Sequence, residues 1–503
     1  MVKIDKSKIV INLALETIKI NKQALIFNNS KRGAEKSAED IAKKIKDIDY
    51  QDLHDEILNT LSKPTKQCER LAFCVKRGVA FHHAGLVSKQ RELIEDNFRK
   101  GIIKIISSTP TLAAGLDLPA FRVIMKDLKR FGNRGMQYIP VLEYKQMIGR
   151  AGRPKYDKEG EAIDIALTET EAIEIKEKFI NGEPEDILSK LAAEPALRTY
   201  ILSLISSDFL RNKKDIQTFF SKTFWAQQYG DINRLYFIID KMLLSLEDWG
   251  LIESSKNNNE FLSASEYGLT DYKATLLGKR SAELYLDPYT ANHLAECIIN
   301  ISKFNTFSFL HAISHTLEMR PLLNVKTSDM EMIEETLIEY EDTLLKQIPS
   351  QFDIEYDYFL SSIKTALFMQ RWIEECDEDF LMEQFNIRPG EIRMKIETAD
   401  WLLYASEEIA RISRKQNIIS EIRKLRTRLK YGAKEELLAL LRLKNIGRIR
   451  ARLLYKNNIK DLNDIKKIEF NKLSTLIGKK LAEDIKQQVG IKIQEEVNLN
   501  KFT

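Results

Sequence analysis

The run Gln146-Met147-Ile148-Gly149-Arg150-Ala151-Gly152-Arg153 sets two guanidinium groups three residues apart among glycines. At a helix start that spacing projects both from one face, and two fixed planar forks can clamp a phosphate. In phosphoryl transfer such arginines stabilise charge developing on the transferred group, an effect of about 10³–10⁵ in rate. Gly149 and Gly152 permit close backbone approach. A basic turn that only touches nucleic acid has the same composition, so the surrounding chain must decide.

Three other segments end an apolar run in a polar or glycine-containing turn. Ser108-Thr109-Pro110-Thr111 and its continuation to Ala120 follow the apolar stretch 102–107. A strand leading into such a turn offers backbone N–H groups and the Thr109 hydroxyl to a phosphate. Ala80-Phe81-His82-His83-Ala84-Gly85-Leu86 and Phe27-Asn28-Asn29-Ser30-Lys31-Arg32 have the same form.

These turns need strands to hold them. From about residue 22 to 180 short β-rich runs alternate with longer helical ones, the pattern of a parallel α/β sheet. After about 185 strand signals nearly vanish, apart from a pair around Gly250-Leu251-Ile252-Glu253 and Phe261-Leu262-Ser263-Ala264. Residues 195–280 read helix, helix, long helix, hairpin, the order of a winged helix. Residues 288–405 read as an acidic helical domain broken at Pro321, Pro349 and Pro389-Gly390, and 406–490 as basic helices with no internal repeat. The net charge of +4 hides this polarity: 411–490 carry 22 Lys and Arg against 8 Asp and Glu, while 321–410 carry 7 against 21. The basic block suits a polyanion.

The four motifs, in this order, resemble the second RecA-like lobe of superfamily 2 helicases. The whole chain most resembles archaeal DNA helicases of the Holliday-junction-migration (Hjm) type. The fold class implied is multidomain: an α/β RecA-like (P-loop NTPase type) lobe over 1–185, a winged helix over 186–285, an all-α ratchet domain over 286–405 and a helix-hairpin-helix domain with a tail over 406–503. The resemblance implies that Arg150 and Arg153 are arginine fingers, that Gln146 and Gly149 help sense ATP, and that Gly115 and Asp117 couple nucleotide to strand movement. The family usually has Asn where Asp117 stands. Ser30, Thr109 and the His83-Ala84-Gly85 turn would hold a DNA backbone.

Between the two strongest motifs, Gly132-Asn133 and Gly135 favour a turn joining two short strands. In the relatives a hairpin here splits the duplex, and Phe131 or Tyr138 would stack on the last base pair, with packing against the lobe as the alternative. Glu397-Thr398-Ala399-Asp400-Trp401-Leu402 matches a helix that ratchets a single strand in relatives, with Trp401 stacking on a base. Met394 stands where the family tends to place arginine, flanked by Arg393 and Lys395. Trp249 and Trp372 read as core. Leu443-Lys444-Asn445-Ile446-Gly447-Arg448 resembles a helix-hairpin-helix, in which Gly447, Arg448, Arg450 and Arg452 would meet DNA phosphates. Its usual first glycine is Asn445, which tolerates left-handed backbone.

A Gly-Lys-Ser/Thr loop for nucleotide phosphates is missing; Gly278-Lys279-Arg280 and Gly478-Lys479-Lys480 lack the hydroxyl, and Asp377-Glu378-Asp379 follows no strand. The resemblance therefore implies a parent enzyme using ATP and Mg²⁺, held mainly by a first lobe that was removed or lies on another polypeptide. This chain is expected to bind DNA (single strands, forks, junctions) without hydrolysing ATP, and to hold no metal. Cys68, Cys74, Cys297 and Cys376 form no C-x-x-C pair. With 44% hydrophobic and 30% charged residues and no apolar run long enough to span a bilayer, a cytoplasmic monomer without membrane contact is expected, with replication or recombination proteins as candidate partners.

Overall fold

The computed structural model describes residues 5–61, 64–112, 118–132, 135–153, 157, 159–255 and 271–490. The chain divides into two compact units, Met1–Ile187 with Asn386–Arg393, and Leu188–Phe385 with Met394–Thr503.

The first unit is built on a parallel sheet of strands β1 (Ala24–Phe27), β2 (Val79–His82), β3 (Ile105–Ser108), β4 (Arg122–Met125) and β7 (Glu161–Asp164), in the order β2-β3-β1-β4-β7. The four residues of each of β1 to β4 are all buried, the continuous burial required of a sheet covered on both faces. In register, Phe27 lies beside Ser108 and Met125, and Ser108 beside His82, so the carboxyl ends of four strands form one edge. β2 and β3 lie on one side of β1 and β4 on the other. Ligands of open parallel sheets bind outside the carboxyl ends at such a reversal of strand order. Between β4 and β7 the chain forms an antiparallel hairpin of β5 (Lys129–Gly132) and β6 (Gly135–Tyr138), where the glycines predicted one.

The second unit is almost all helix. Helices Glu194–Ser206, Lys213–Ser221, Phe224–Tyr229 and Ile232–Asp248 precede an antiparallel pair, β8 (Ile252–Ser254) and β9 (Tyr272–Ala274). The partner of β8 is therefore Tyr272–Ala274; the expected Phe261–Ala264 strand lies outside the described residues. Trp249 and Trp372 are only half-buried, and Trp225 is the buried tryptophan. Beyond lie the helices Pro288–Asn300, Thr306–Ser314, Tyr356–Ile373, Pro389–Ile412 and Gln416–Tyr431.

Three imidazoles cluster in this helical core. Ser362 Oγ donates to the Phe359 carbonyl, so it accepts from His311 Nε2 at 3.0 Å and His315 Nδ1 at 3.2 Å. That leaves His315 Nε2 unprotonated, and it accepts from Lys346 Nζ at 2.6 Å. Burial, the ammonium of Lys346 and the neighbouring imidazoles push His315 down to about 2; burial, with His293 and Lys346, pushes His311 down to about 3. Among the described residues no helix is long and apolar enough to cross a membrane.

Candidate functional site

The carboxyl edge of the sheet carries a chain of hydrogen bonds. Lys126, directly after β4, donates to Ser37 Oγ; Ser37 donates to Asn28 Oδ1 after β1; Asn28 Nδ2 donates to Ser107 Oγ on β3, each at 2.9 Å. Sequence reasoning missed Lys126 and Asn28, although both directly follow strands. Ser30 is exposed and caps the helix Lys31–Ala42, its Oγ accepting from the Gly33 N–H at 3.1 Å. Thr109 is 8% exposed, its hydroxyl lies 2.9 Å from that of Thr111, and its N–H goes to the His82 carbonyl. Contrary to expectation, that N–H is part of the sheet and not offered to a ligand.

His83 is fully buried. Its Nδ1 accepts from the Gly85 N–H at 3.1 Å, so the proton sits on Nε2, which points at Glu35 Oε1 at 3.2 Å. His83 thus shapes the turn, and Ala84 is its exposed residue. Glu35, 1% exposed, also accepts from Gln67 at 2.9 Å and Arg70 at 2.7 Å, with Arg388 at 3.5 Å. Burial pulls the Glu35 carboxyl upward; the His83 hydrogen bond, the Arg388 charge, Gln67 and Arg70 outweigh it and hold the pKa at about 2.

The arginine motif lies elsewhere. Gln146 and Gly149 belong to the last turn and cap of the helix Val141–Ile148, not to a helix start, so Arg150 and Arg153 follow a helix and share no helical face. Gln146 and Gly149 are exposed. The Arg150 carbonyl accepts from Ala120, and Gly152, at φ +92°, donates to the Ala120 carbonyl at 2.7 Å, fastening this segment just ahead of β4. Arg153 donates to Asp157 at 2.7 Å and to Gln23, just ahead of β1, at 2.5 Å. Lys22 also meets Asp157 at 2.6 Å, and Arg153 and Lys22 hold the Asp157 carboxyl below its ordinary value. Arg153 therefore lies at the amino ends of the strands, away from Ser30 and Thr109. Gly115 and Asp117 lie outside the described residues.

In the β5–β6 hairpin Tyr138 pairs with Lys129. Its hydroxyl donates to Glu174 at 2.6 Å, its ring packs edge-on against Phe179, and the ammonium groups of Lys129 and Lys178 lie 4.2 and 4.6 Å from its centroid. This is the packed alternative. The Phe131 side chain lies outside the described residues. Its partner Met136 is 58% exposed and went unremarked in the sequence.

In the second unit Trp401 is half-buried, its indole N–H donating to the Leu284 carbonyl at 3.1 Å. Lys395 is buried and donates to the Met319 and Pro321 carbonyls at 2.8 and 2.6 Å, which removes it as a surface cation. Arg393, in the first unit, is exposed.

The terminal helices form their own core around Leu440, Ala451, Leu454, Ala482 and Ile485. Asn445 adopts φ +65°, as its place in the hairpin predicts. Arg452 is bound by Glu375 at 2.8 and 2.6 Å and by Glu436 at 2.8 Å, and Arg448 lies over the Trp372 ring, 3.7 Å from Glu378. Both stand in ion pairs where a phosphate role was expected, while Arg450 is exposed. A second hairpin, missed in the sequence, leads through Ile477-Gly478 into the helix Lys479–Gln488. Its Gly478, Ala482 and Ile485 repeat Gly447, Ala451 and Leu454 at a constant offset, so a repeat exists where none was expected.

Comparison with known proteins gives two family matches: "Helicase conserved C-terminal domain" over residues 5–155 and "Archaeal helicase, domain 4" over 307–432. The chain is 38% identical to the protein named ATP-dependent DNA helicase Hel308 of Methanocella arvoryzae, covering 96% of this chain and 65% of the relative. For the same-named protein of Pyrococcus horikoshii the figures are 39%, 96% and 66%. For that of Methanococcus vannielii they are 35%, 96% and 68%. The chain thus spans about two thirds of the length of these relatives.

Proposed function

This chain belongs to the Hel308 family of archaeal superfamily 2 DNA helicases, and on that premise we propose that it forms the DNA-gripping and arginine-supplying part of an ATP-dependent 3′–5′ helicase acting on forked or recombination-intermediate DNA. The observation that carries the reading is the match through 96% of the chain to proteins named ATP-dependent DNA helicase. The strand-end groups of the first unit support it, since phosphate contacts of this kind position a backbone without reading sequence. Ser30, Thr109 and the Ala84 turn, shaped by His83 and Gly85, lie along the strand; Arg393, Trp401 and the hairpins at Gly447 and Gly478 add contacts, with Arg450 as the leading cation. Phe131 and Tyr138 sit in a duplex-splitting hairpin. In this reading 1–185 is a second RecA-like lobe, 186–285 a winged helix, 286–405 a ratchet domain and 406–503 a helix-hairpin-helix domain.

Toward a nucleotide the residues present fit a supporting role. Bound ATP with Mg²⁺ would supply the phosphoryl group and the hydrolysis energy, and a first lobe on another part of the parent would hold it. Arg150 and Gln146 would face its phosphates, with Gly149, Gly115 and Asp117 around them. Arg153 would join only by releasing Asp157 to Lys22. The chain alone would bind DNA in the cytoplasm without hydrolysing ATP.

The test is competition between matched DNA and RNA forks for the purified chain, at 50 and 200 mM salt. The account expects DNA to win, with affinity falling steeply as salt rises. Preference for RNA, or no binding to either, would refute it.

A further inference from the structure

The first unit contains a segment remote in sequence, Asn386–Arg393, which includes the first turn of the long helix Pro389–Ile412. It seats directly on the His83-Ala84-Gly85 turn. The Gly390 N–H donates to the Gly85 carbonyl at 2.9 Å. The approach is so close that a Cβ on Gly390 would lie 2.5 Å from the Leu86 carbonyl oxygen and 2.6 Å from that of Ala84, and one on Gly85 would lie 2.9 Å from Arg388 Cβ. Backbone oxygens, and a Cβ fixed to its own backbone, cannot step aside as the far end of a side chain can, so both positions demand glycine.

Charges tighten the seat on either side. Lys31 pairs with Glu391, Arg32 donates to Asn386 at 2.9 Å, and Arg388 lies 3.5 Å from the buried Glu35 that also holds His83. Glu391 in turn accepts from the Arg388 N–H at 2.9 Å, capping its own helix. Apart from that internal cap, each contact ends on the helix capped by Ser30 or on the turn after β2.

We propose that Asn386–Arg393 is a latch that positions the Ala84 turn for a nucleic-acid backbone, with Gly390, Gly85 and Glu35 as positioning residues and the turn and helix start moving as one body. Its purpose rests on the DNA reading above; its existence does not. Ser30 and Ala84 stand at the ends of neighbouring elements, and the latch joins Glu35 in fixing the turn between them.

The experiment is hydrogen exchange on the full chain, wild type against Gly390→Ala and Arg388→Met, joined to titration of an oligo(dT) strand from 50 to 200 mM salt. In wild type the Gly390 amide should be protected. Gly390→Ala should speed exchange at least tenfold in 83–87, with β1 unchanged; Arg388→Met, which introduces no backbone clash, should do so several-fold. The Ala84 turn carries no cation, so its phosphate contact should be lost as several-fold weaker binding of oligo(dT) in Gly390→Ala, equal at 50 and 200 mM salt, with the slope of log K against log salt kept. A general loss of stability would instead speed exchange in β1 as well. Unaltered exchange at 83–87 in both variants would overturn the latch. Faster exchange with unaltered affinity would leave the latch standing and refute the turn as a DNA contact.

Discussion

A buried carboxylate in the first unit and a buried imidazole pair in the second are held in opposite ways. In the first, Glu35 stays charged beneath the proposed DNA edge, ringed by Arg70, Arg388, Gln67 and His83. In the second, His311 and His315 are kept neutral by burial and by Lys346, while Arg448 and Arg452 of the terminal helices lie on carboxylates. A buried charge persists only where geometry surrounds it with partners, and here those partners are the elements that shape a turn. The most basic stretch of sequence, by contrast, offers less cation to solvent than its composition suggests.

Acid separates the two most sharply. The ordinary histidine value is 6.5, and His311 and His315 lie near 3 and 2, so the unfolded chain takes up their protons first. Their contribution is complete above 6.5 and is lost as pH falls toward 3. At pH 5 the pair should cost the second unit about 4 kcal/mol relative to pH 7. Glu35, lowered from 4.5 to about 2, contributes fully above 4.5 and fades only below it. All four tryptophans (Trp225, Trp249, Trp372, Trp401) lie in the second unit, so their fluorescence should report unfolding at pH 5 before exchange in β1 to β4 rises. Simultaneous loss would break the contrast.

Glu35→Ala should act on the other side, leaving Arg70 to Glu39 alone, taking the carboxylate from Arg388 and removing the acceptor for His83. A loss of about 3 kcal/mol is expected in the first unit, read by exchange at β1 and β2, with the tryptophan transition unmoved. Smaller effects are expected in the terminal helices. Arg450→Ala should lower the salt slope for single-stranded DNA by about 0.7, whereas Arg452→Ala should leave it unchanged and cost roughly 1 kcal/mol of stability. Equal slopes for the two would show that the ion pairs with Glu375 and Glu436 open on binding. Asn445→Ala, which imposes a left-handed backbone on a less tolerant residue, should cost about 1 kcal/mol or slightly less by urea denaturation.

The sheet edge was legible at β1, β2 and β3, whose short apolar runs end in polar residues, whereas β4, which opens on Arg122, was not singled out. The hairpin was legible from Gly132 and Gly135. The helix before Arg150 was misplaced although Pro140, ahead of Val141, is a start signal. The burial of His83 could not be read, because it depends on Glu35, Arg70 and Arg388 arriving from three separate segments. Arg452 misled for the same reason: its partner Glu375 lies 77 positions away. The repeat of Gly447, Ala451 and Leu454 at Gly478, Ala482 and Ile485 was present in the sequence but hidden by weighing Gly478-Lys479 only as a phosphate loop.

The central claim, that this chain grips DNA and lends Arg150 to a nucleotide held elsewhere, is tested most directly by reconstitution. The chain would be mixed with the separately produced part of the Methanocella arvoryzae relative that lies outside the matched region, and DNA-stimulated phosphate release measured. The account predicts none from the chain alone, release from the mixture, and a fall of about 10³ or more with Arg150→Ala while single-strand binding is kept. Phosphate release by the chain alone, or a mixture indifferent to Arg150→Ala, would contradict it.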